Sequence, residues 1–435
     1  MKTLIALIDT IAFFLFGILL ASLTAVTLLV FSFFKRKRRD ASRVNRLSFV
    51  IADLINNKYP DLIEDVLLDD YISGDYSIYL DYRNPFDRFE CIDGRIFIYS
   101  ISAHPNSGIY KAGFHKVNAL LVELRILMRA FSVARKASIS FVKAHDPHLL
   151  GLNGLIVSRI LRLPCMMHIN SDFNTKYQGT RTVSNPIFIS RGIERLFEMV
   201  VLNSYDLLMA DRKYYARSGA IPKGCVNKYR TFGLRVDGRH YQDPASRRNL
   251  KTKLGIEGKK ALLYVGRLHP VKYPADVMKA FSVLKKTRAD AVLLIAGDGI
   301  LKAHLEAMAN EEGIRDSVLF LGQMKNEELV DLYRSVDILV ASHGGVTLVE
   351  AALAQTPIVA YDFDWHSEFM EDGKTGYLVK FRDAEEMAAS CLRLLEDDAF
   401  RLRCAAFARK KALGTCDRHD SIDREKRIYE ELLGR

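Results

Sequence analysis

Short apolar runs alternate with longer stretches of helical periodicity through most of this chain. Residues 95–102 (RIFIYSIS) read as a strand, and 117–131 as a helix because their apolar positions recur every three or four residues. The alternation continues through 139–144, 149–161, 165–169, 193–202 and 206–210. A second series places strands at 261–265, 291–296, 317–321, 336–341 and 357–360, with helices near 274–287, 300–311, 326–334 and 346–354. This β–α rhythm predicts parallel sheets covered by helices. Between the two series, 236–258 is polar and basic and is broken by Asp237-Gly238, Asp243-Pro244 and Glu257-Gly258, as a linker would be. The expected architecture is two α/β domains, 75–240 and 241–415, facing a cleft, with a last helix in 416–435 that can pack back onto the first domain. Residues 40–74 read as an amphipathic helical neck, with Leu47, Val50, Ile51, Leu54 and Ile55 at helical spacing.

One apolar stretch falls outside this rhythm. Residues 11–34 contain no charged side chain and are long enough to cross the roughly 30 Å hydrocarbon core of a bilayer. Lys35, Arg36, Lys37, Arg38, Arg39, Arg43 and Arg46, opposed by Asp40, follow at once and hold more than half of the formal net charge of +11. A cleavable signal peptide has its basic residues before a shorter apolar run, so 1–39 is expected to be a transmembrane anchor with a basic cytoplasmic flank. By the positive-inside rule Asp9 then lies near the outer end, and the catalytic domains stay on the cytoplasmic side of the inner membrane in a single-pass arrangement. With that block set aside, the basic character no longer argues for nucleic acid as a partner.

At 435 residues and 49% hydrophobic composition the chain exceeds what one ordinary core holds, which agrees with two domains. Cys91, Cys165, Cys225, Cys391, Cys404 and Cys416 are dispersed, without a C-x-x-C pair or zinc spacing, and are read as reduced thiols.

Candidate chemistry concentrates in the second domain. The strand at 261–265 ends in Gly266-Arg267, and Lys272 follows just before the next helix. In an open parallel sheet the carboxyl ends of the strands line the ligand crevice, so both cations are expected to reach it. An arginine fork and a lysine point charge together suit a diphosphate. Gly297, in Ala296-Gly297-Asp298-Gly299, and Gly322, after the next strand, permit tight turns. Most informative is Ser342-His343-Gly344-Gly345-Val346-Thr347-Leu348-Val349-Glu350, where a strand ends in a Gly-Gly loop and a helix opens near Val346. Free amides and the helix dipole there favour a phosphate, and Glu350, one turn in, can accept hydrogen bonds from sugar hydroxyls.

Together these residues resemble the family-four retaining glycosyltransferases, or glycosyl transferases group 1, of two-domain GT-B fold with two Rossmann-like halves. The likeness spans about 261–413 and rests on the order and spacing of Y-V-G-R-L before Lys272, A-G-D-G, V-L-F-L-G, L-V-E-A-A-L-A, T-P-I-V-A-Y-D and D-G-K-T-G-Y-L-V. It implies that Arg267 and Lys272 bind the donor diphosphate, that the amides of Gly345 to Leu348 meet the phosphate, and that Glu350 holds the ribose as the second glutamate of an E-x7-E element. Where the first glutamate of that element belongs, against the sugar ring, this chain has Ser342, so either His343 or another group takes over or the donor sugar is recognised differently. In the first domain His104-Pro105-Asn106-Ser107-Gly108 is the nearest match to the family's glycine-rich loop. His145 is the candidate for contact with the transferred sugar, and His168 or Asp172 for acceptor-side chemistry; either histidine could instead cap a strand-to-helix turn.

The function this implies is retaining transfer of a sugar from a nucleotide-diphosphate sugar to a lipid or lipid-linked glycan acceptor, in cell-surface polysaccharide or glycolipid synthesis. No cofactor is expected, and no divalent metal, because no D-x-D is expected where the diphosphate would lie. Two alternatives share the fold: a sugar-nucleotide epimerase, and a catalytically silent nucleotide-sugar-binding scaffold at the membrane.

Overall fold

The computed structural model describes residues 43–50, 69–82, 84–103, 111–183, 188, 190–241 and 250–434, together with residue 9. Two parallel sheets form two domains. In the first, strands β1 (Asn45–Val50), β2 (Gly74–Asp81), β3 (Arg88–Ile92), β4 (Ile96–Ser102), β5 (Phe141–Ala144), β6 (Cys165–His168), β7 (Leu207–Ala210) and β8 (Tyr229–Thr231) lie in the order β3-β4-β2-β1-β5-β6-β7-β8. Only β3, the edge strand, runs antiparallel to its neighbour. Helices α1 (His115–Lys136), α2 (Leu149–Leu161), α3 (Phe173–Thr180) and α4 (Arg191–Ser204) connect these strands. Leu47, Phe49, Val142, Ala144, Cys165, Met167 and Leu208 share one core with apolar positions of α1 and α2 such as Ile126 and Leu155.

The expected helical neck at 40–74 is corrected by β1, which sits at the sheet centre between β2 and β5. Leu47 and Val50 do fit a helical spacing. Leu47 and Phe49, however, are buried on one face while Arg46 and Ser48 turn to the other, where both contact the Asp75 carboxylate, Arg46 Nε at 3.0 Å and Ser48 Oγ at 3.2 Å. Period two wins because two flanking strands supply the ladder. The first domain therefore starts by Asn45 rather than at 75.

Asp9 accepts hydrogen bonds from the amides of Lys116 (3.0 Å) and Val117 (2.9 Å) at the start of α1. That places Asp9 against the first domain, not at the outer end of a membrane span. The span expected at 11–34 lies outside the described residues, as does the loop 104–110 that holds the expected glycine-rich candidate. Among the described residues no helix is long and apolar enough to cross a membrane.

In the second domain, β9 (Lys260–Val265), β10 (Ala291–Ala296), β11 (Val318–Gly322), β12 (Ile338–Ala341), β13 (Ile358–Tyr361) and β14 (Gly376–Val379) are all parallel, in the order β11-β10-β9-β12-β13-β14. Helices α5 (Pro274–Lys285), α6 (Lys302–Glu311), α7 (Asn326–Ser335), α8 (Thr347–Leu353), α9 (Ala384–Glu396) and α10 (Asp398–Thr415) cover both faces. The chain winds outward in both directions from β9 and β12. Their carboxyl ends thus flank a topological switch point, the place where open α/β sheets bind ligands.

The last helix, α11 (Arg418–Leu433), crosses back to the first domain as expected. Its Ile428, Tyr429 and Leu432 pack on Phe141, Met166, Leu207 and Met209, the sheet face opposite α1 and α2. Polar contacts fix its register. Lys143 Nζ donates to Glu425 Oε1 (2.7 Å) and to the Tyr429 hydroxyl (3.2 Å), and Arg46 donates to the same hydroxyl (2.7 Å). Arg235, in the segment that joins the domains, pairs with the other oxygen of Glu425. Burial, then repulsion from Arg46 and Arg235, holds the Lys143 amine well below its usual range, so the helix carboxylate is what keeps this cluster together. Removing one partner of a buried ion network leaves uncompensated charge, at about 3–5 kcal/mol. Glu425→Ala is therefore expected to lower stability by about that amount in urea unfolding. Lys426→Ala, which breaks a pair with the exposed Asp70 and a cation–π contact with Tyr71 (5.9 Å), should shift the midpoint far less.

Candidate functional site

The switch point gathers most of the residues singled out from the sequence. After β9, Gly266 and Arg267 lead into a 3-10 turn, Pro270–Lys272, and Tyr273 takes a left-handed φ of 49° to enter α5. The shape of this turn explains two glycines. A Cβ on Gly297 would lie 1.9 Å from the Gly266 carbonyl oxygen, so the end of β10 can press on the turn only without a side chain. Gly322, with φ of 71°, accepts the Gly297 amide at 2.8 Å. Gly297 and Gly322 therefore support the floor of the crevice through backbone packing.

Lys272 is held inside it, its Nζ donating to the His343 carbonyl at 3.2 Å. Burial and the positive charges of Arg212 and Arg267, partly offset by Asp364, push its amine down to about 8. The part of this shift that comes from Arg212 and Arg267 is repulsion that an arriving anion would relieve. Arg267 itself is exposed.

The loop after β12 forms the opposite wall. Ser342 is fully buried and its hydroxyl donates to the Lys272 carbonyl at 2.6 Å, which makes it a brace for the lysine turn. His343 bridges further, with Nδ1 2.6 Å from the Val271 carbonyl and Nε2 2.9 Å from Asp364 Oδ2. The Gly344 amide donates to His366 Nε2 (2.9 Å) and its carbonyl accepts from Trp365 Nε1 (3.1 Å). Because His366 Nε2 accepts, its Nδ1 carries the proton and donates to the Tyr361 carbonyl at 2.7 Å, and burial pushes this ring down to about 4. Among the described residues no side chain caps the start of α8, and the pro-Cβ direction of Gly345 meets nothing within 4 Å. The amides of Gly345, Val346 and Thr347 stand at that uncapped end. Leu348 differs from expectation: its side chain is in the core, and its amide faces the Gly345 carbonyl at 3.5 Å. Glu350, one turn in and half-buried, accepts from the Tyr333 hydroxyl at 2.9 Å.

On the first domain His145 and His168 end adjacent strands, and their rings lie 4.9 Å apart. Burial first, then the charge of Lys143, keeps both well below the usual histidine range, hence neutral. Asn170 donates to the His145 carbonyl at 3.0 Å. His168 Nδ1 is buried without a hydrogen-bond partner among the described residues. Asp172 is corrected from acceptor chemistry to a helix cap: its Oδ1 takes the amides of Asn174 (2.9 Å) and Thr175 (3.4 Å) at the start of α3. That helix packs against the Pro270–Lys272 turn of the other domain.

Sequence reasoning missed the loops after β7 and β13, which meet across the cleft. Arg212 lies over the Trp365 ring (4.9 Å) and 3.9 Å from Asp364 Oδ2, while the Glu368 carboxylate accepts the amides of Lys213 and Tyr214, both at 2.9 Å. The available signal was position, since both loops follow strand carboxyl ends. Asp362-Phe363-Asp364 is also a D-x-D at this crevice, contrary to expectation. Asp362 is exposed, and Asp364 is engaged by His343 beside Arg212 and Lys272, a neighbourhood of cations rather than of metal ligands. His148, Glu194 and Glu198 cluster elsewhere, but Arg191 (2.7 Å from Glu194) and Arg195 (3.1 Å from Glu198) already occupy those carboxylates.

Residues 246–411 match the family model "Glycosyl transferases group 1". That match covers the second domain. Across a longer stretch the chain is 28% identical over 287 residues to alpha-D-kanosaminyltransferase of Streptomyces kanamyceticus, covering 64% of this chain and 73% of that one. It is 24% identical over 280 residues to alpha-monoglucosyldiacylglycerol synthase of Streptococcus pneumoniae, covering 61% of each. Among solved structures, HepE of Anabaena in complex with UDP superposes with a TM-score of 0.67 at 18% identity, over 90% of this chain and all of that one. That superposition spans both halves, so the fold is the two-domain GT-B glycosyltransferase arrangement.

The depressed lysine gives the site a pH signature. Lys272 loses its charge as pH rises through about 8, and a bound diphosphate would restore it. Affinity for a nucleoside diphosphate, measured by calorimetry, is therefore expected to fall roughly tenfold from pH 7 to pH 9. In Lys272→Arg, which stays charged, the profile should be flat.

Proposed function

We propose that this protein is a retaining glycosyltransferase that moves a sugar from a nucleotide-diphosphate sugar to a lipid or lipid-linked glycan acceptor. The observation that carries the proposal is the convergence of Arg212, Arg267 and Lys272 on the switch point beside the uncapped start of α8, with Glu350 one turn in. Such a site suits a diphosphate followed by a ribose. The similarity to HepE of Anabaena, whose structure holds UDP, supports this donor class.

In the reaction, the bond from the anomeric carbon to the diphosphate oxygen breaks while a new bond forms from that carbon to the acceptor oxygen on the same face. The acceptor's proton passes to the departing phosphate oxygen. Arg267, Lys272 and the loop amides stabilise the charge that develops there, and because they are fixed before the reaction they need little rearrangement. His145 and His168, neutral and at strand ends in the other domain, are positioned as hydrogen-bond acceptors for hydroxyls of the sugar or the acceptor. No divalent metal is required in this scheme, since the cations of the protein fill that role.

The lipid acceptor is supported by the apolar stretch 11–34 with its basic flank, which would hold the cleft against a membrane surface and raise the effective concentration of a membrane substrate. One relative is named for making monoglucosyldiacylglycerol. Ser342 favours a second reading, a silent nucleotide-sugar-binding scaffold, because the expected glutamate is absent.

Purified full-length protein, supplied with radiolabelled nucleotide-sugars and a membrane lipid extract in EDTA, is expected to transfer label to an organic-soluble product with retained anomeric configuration. Lys272→Ala should reduce the rate by about a hundredfold. Loss of activity in EDTA would overturn the metal-free scheme, and donor binding with no transfer to any acceptor would favour the scaffold. Equal use of soluble sugars by a protein starting near Asp40 would contradict the lipid acceptor.

A further inference from the structure

Ser342 leaves the donor pocket without a carboxylate at the position where the family resemblance expects one against the sugar. Its hydroxyl is committed to the Lys272 carbonyl at 2.6 Å, so it has no free group to offer. A carboxylate reaches the same loop from the adjacent strand. Asp364, three residues past β13, holds His343 Nε2 at 2.9 Å through Oδ2 and lies 3.9 Å from Arg212 of the other domain. Its side chain is 9% exposed, and its second oxygen, Oδ1, is buried with no hydrogen-bond partner among the described residues. Thr347 Oγ1, at the start of α8, is a second buried polar atom without a partner in the same group of loops.

Two features indicate that Asp364 is held for a purpose beyond packing. Its φ is +54°, in the left-handed region that favours glycine, so the fold maintains an aspartate where the backbone would be easier without a side chain. Burial alone would raise its carboxyl, yet the hydrogen bond from His343 and the charge of Arg212 outweigh that and hold it below the usual range, so it stays an acceptor. A buried ionised oxygen without a donor is costly, and a sugar hydroxyl is the donor that a nucleotide-sugar would bring here, next to the lysine that faces its diphosphate.

We propose that Asp364 is the sugar-binding carboxylate of this protein, its Oδ1 accepting a hydrogen bond from a hydroxyl of the transferred sugar in place of the glutamate absent at position 342. The assignment rests on the donor reading above. It makes Asp364 a specificity-determining residue supplied by the loop after β13, with Arg212 and His343 as the groups that position it.

The test compares each nucleotide-sugar with its own nucleoside diphosphate: UDP-glucose with UDP, GDP-mannose with GDP, and dTDP-glucose with dTDP, by calorimetry in EDTA. The pair that wild type binds most tightly is then measured on Asp364→Gly and Asp364→Asn. Glycine suits the φ and removes the carboxylate; asparagine keeps the shape but presents an amide N–H where Oδ1 stood. In both variants the ratio of nucleotide-sugar affinity to nucleoside-diphosphate affinity is expected to fall roughly ten- to hundredfold from wild type, whatever the change in the diphosphate alone. Equal weakening of both ligands would make Asp364 a structural support of the loop and overturn the proposal, as would no change in either. A wild-type sugar contribution that vanishes in EDTA and returns with Mg²⁺ would make Asp364 a metal ligand instead, which also overturns it. Failure of wild type to bind any of the three diphosphates would instead defeat the donor reading itself.

Discussion

Arg212, Arg267 and Lys272 repel one another, and the fold nevertheless holds them around one crevice with Asp364 as the buried carboxylate among them. The lysine registers the strain, its amine lowered to about 8 by burial and by the two guanidinium groups. Much of the surrounding backbone serves this arrangement. Gly297 lets the end of β10 support the Gly266-Arg267 turn, Ser342 braces the Lys272 carbonyl, and His343 ties the lysine turn to Asp364. An anion bound there would relieve that repulsion.

Keeping a site between two domains requires that the domains stay in register. Two contacts do this at opposite ends. The Glu368 carboxylate receives the amides of Lys213 and Tyr214 beside the site, and α11 returns from the second domain to place Glu425 and Tyr429 among Arg46, Lys143 and Arg235 of the first domain and the connecting segment. The first is an exposed backbone contact that can open with modest effort; the second is a buried ion network backed by Tyr429 and Ile428 on the sheet.

Much of this was legible in the residues because the β–α rhythm is strong where strands are buried on both faces. The strand at 291–296 and the helix at 149–161 match the structure residue for residue. Reading failed where one segment fits two periods: Leu47 and Val50 suit a helix, but Arg46, Ser48 and their shared partner Asp75 make the segment a central strand. Within the site, Arg267, Lys272 and Glu350 could be found because they stand at fixed distances from glycine turns. Arg212 and Asp364 could not, since each stands beside other charged residues in its loop (Asp211 and Lys213; Asp362) and acquires meaning only when β7 and β13 from different domains bring them within 3.9 Å. Asp172 shows the reverse error, a polar residue at a strand end that serves as a helix cap.

The central claim is that one anion, a nucleotide diphosphate, is what the three cations and the uncapped helix are built to hold. A crystal structure of the full-length protein soaked with the nucleoside diphosphate it binds best tests this most directly. The account predicts phosphate oxygens within hydrogen-bond distance of Arg267, Lys272 and the amides of Gly345 to Thr347, with ribose hydroxyls at Glu350. A nucleotide bound elsewhere, or in this crevice with its ribose turned away from Glu350 and its phosphates away from Lys272, would contradict it.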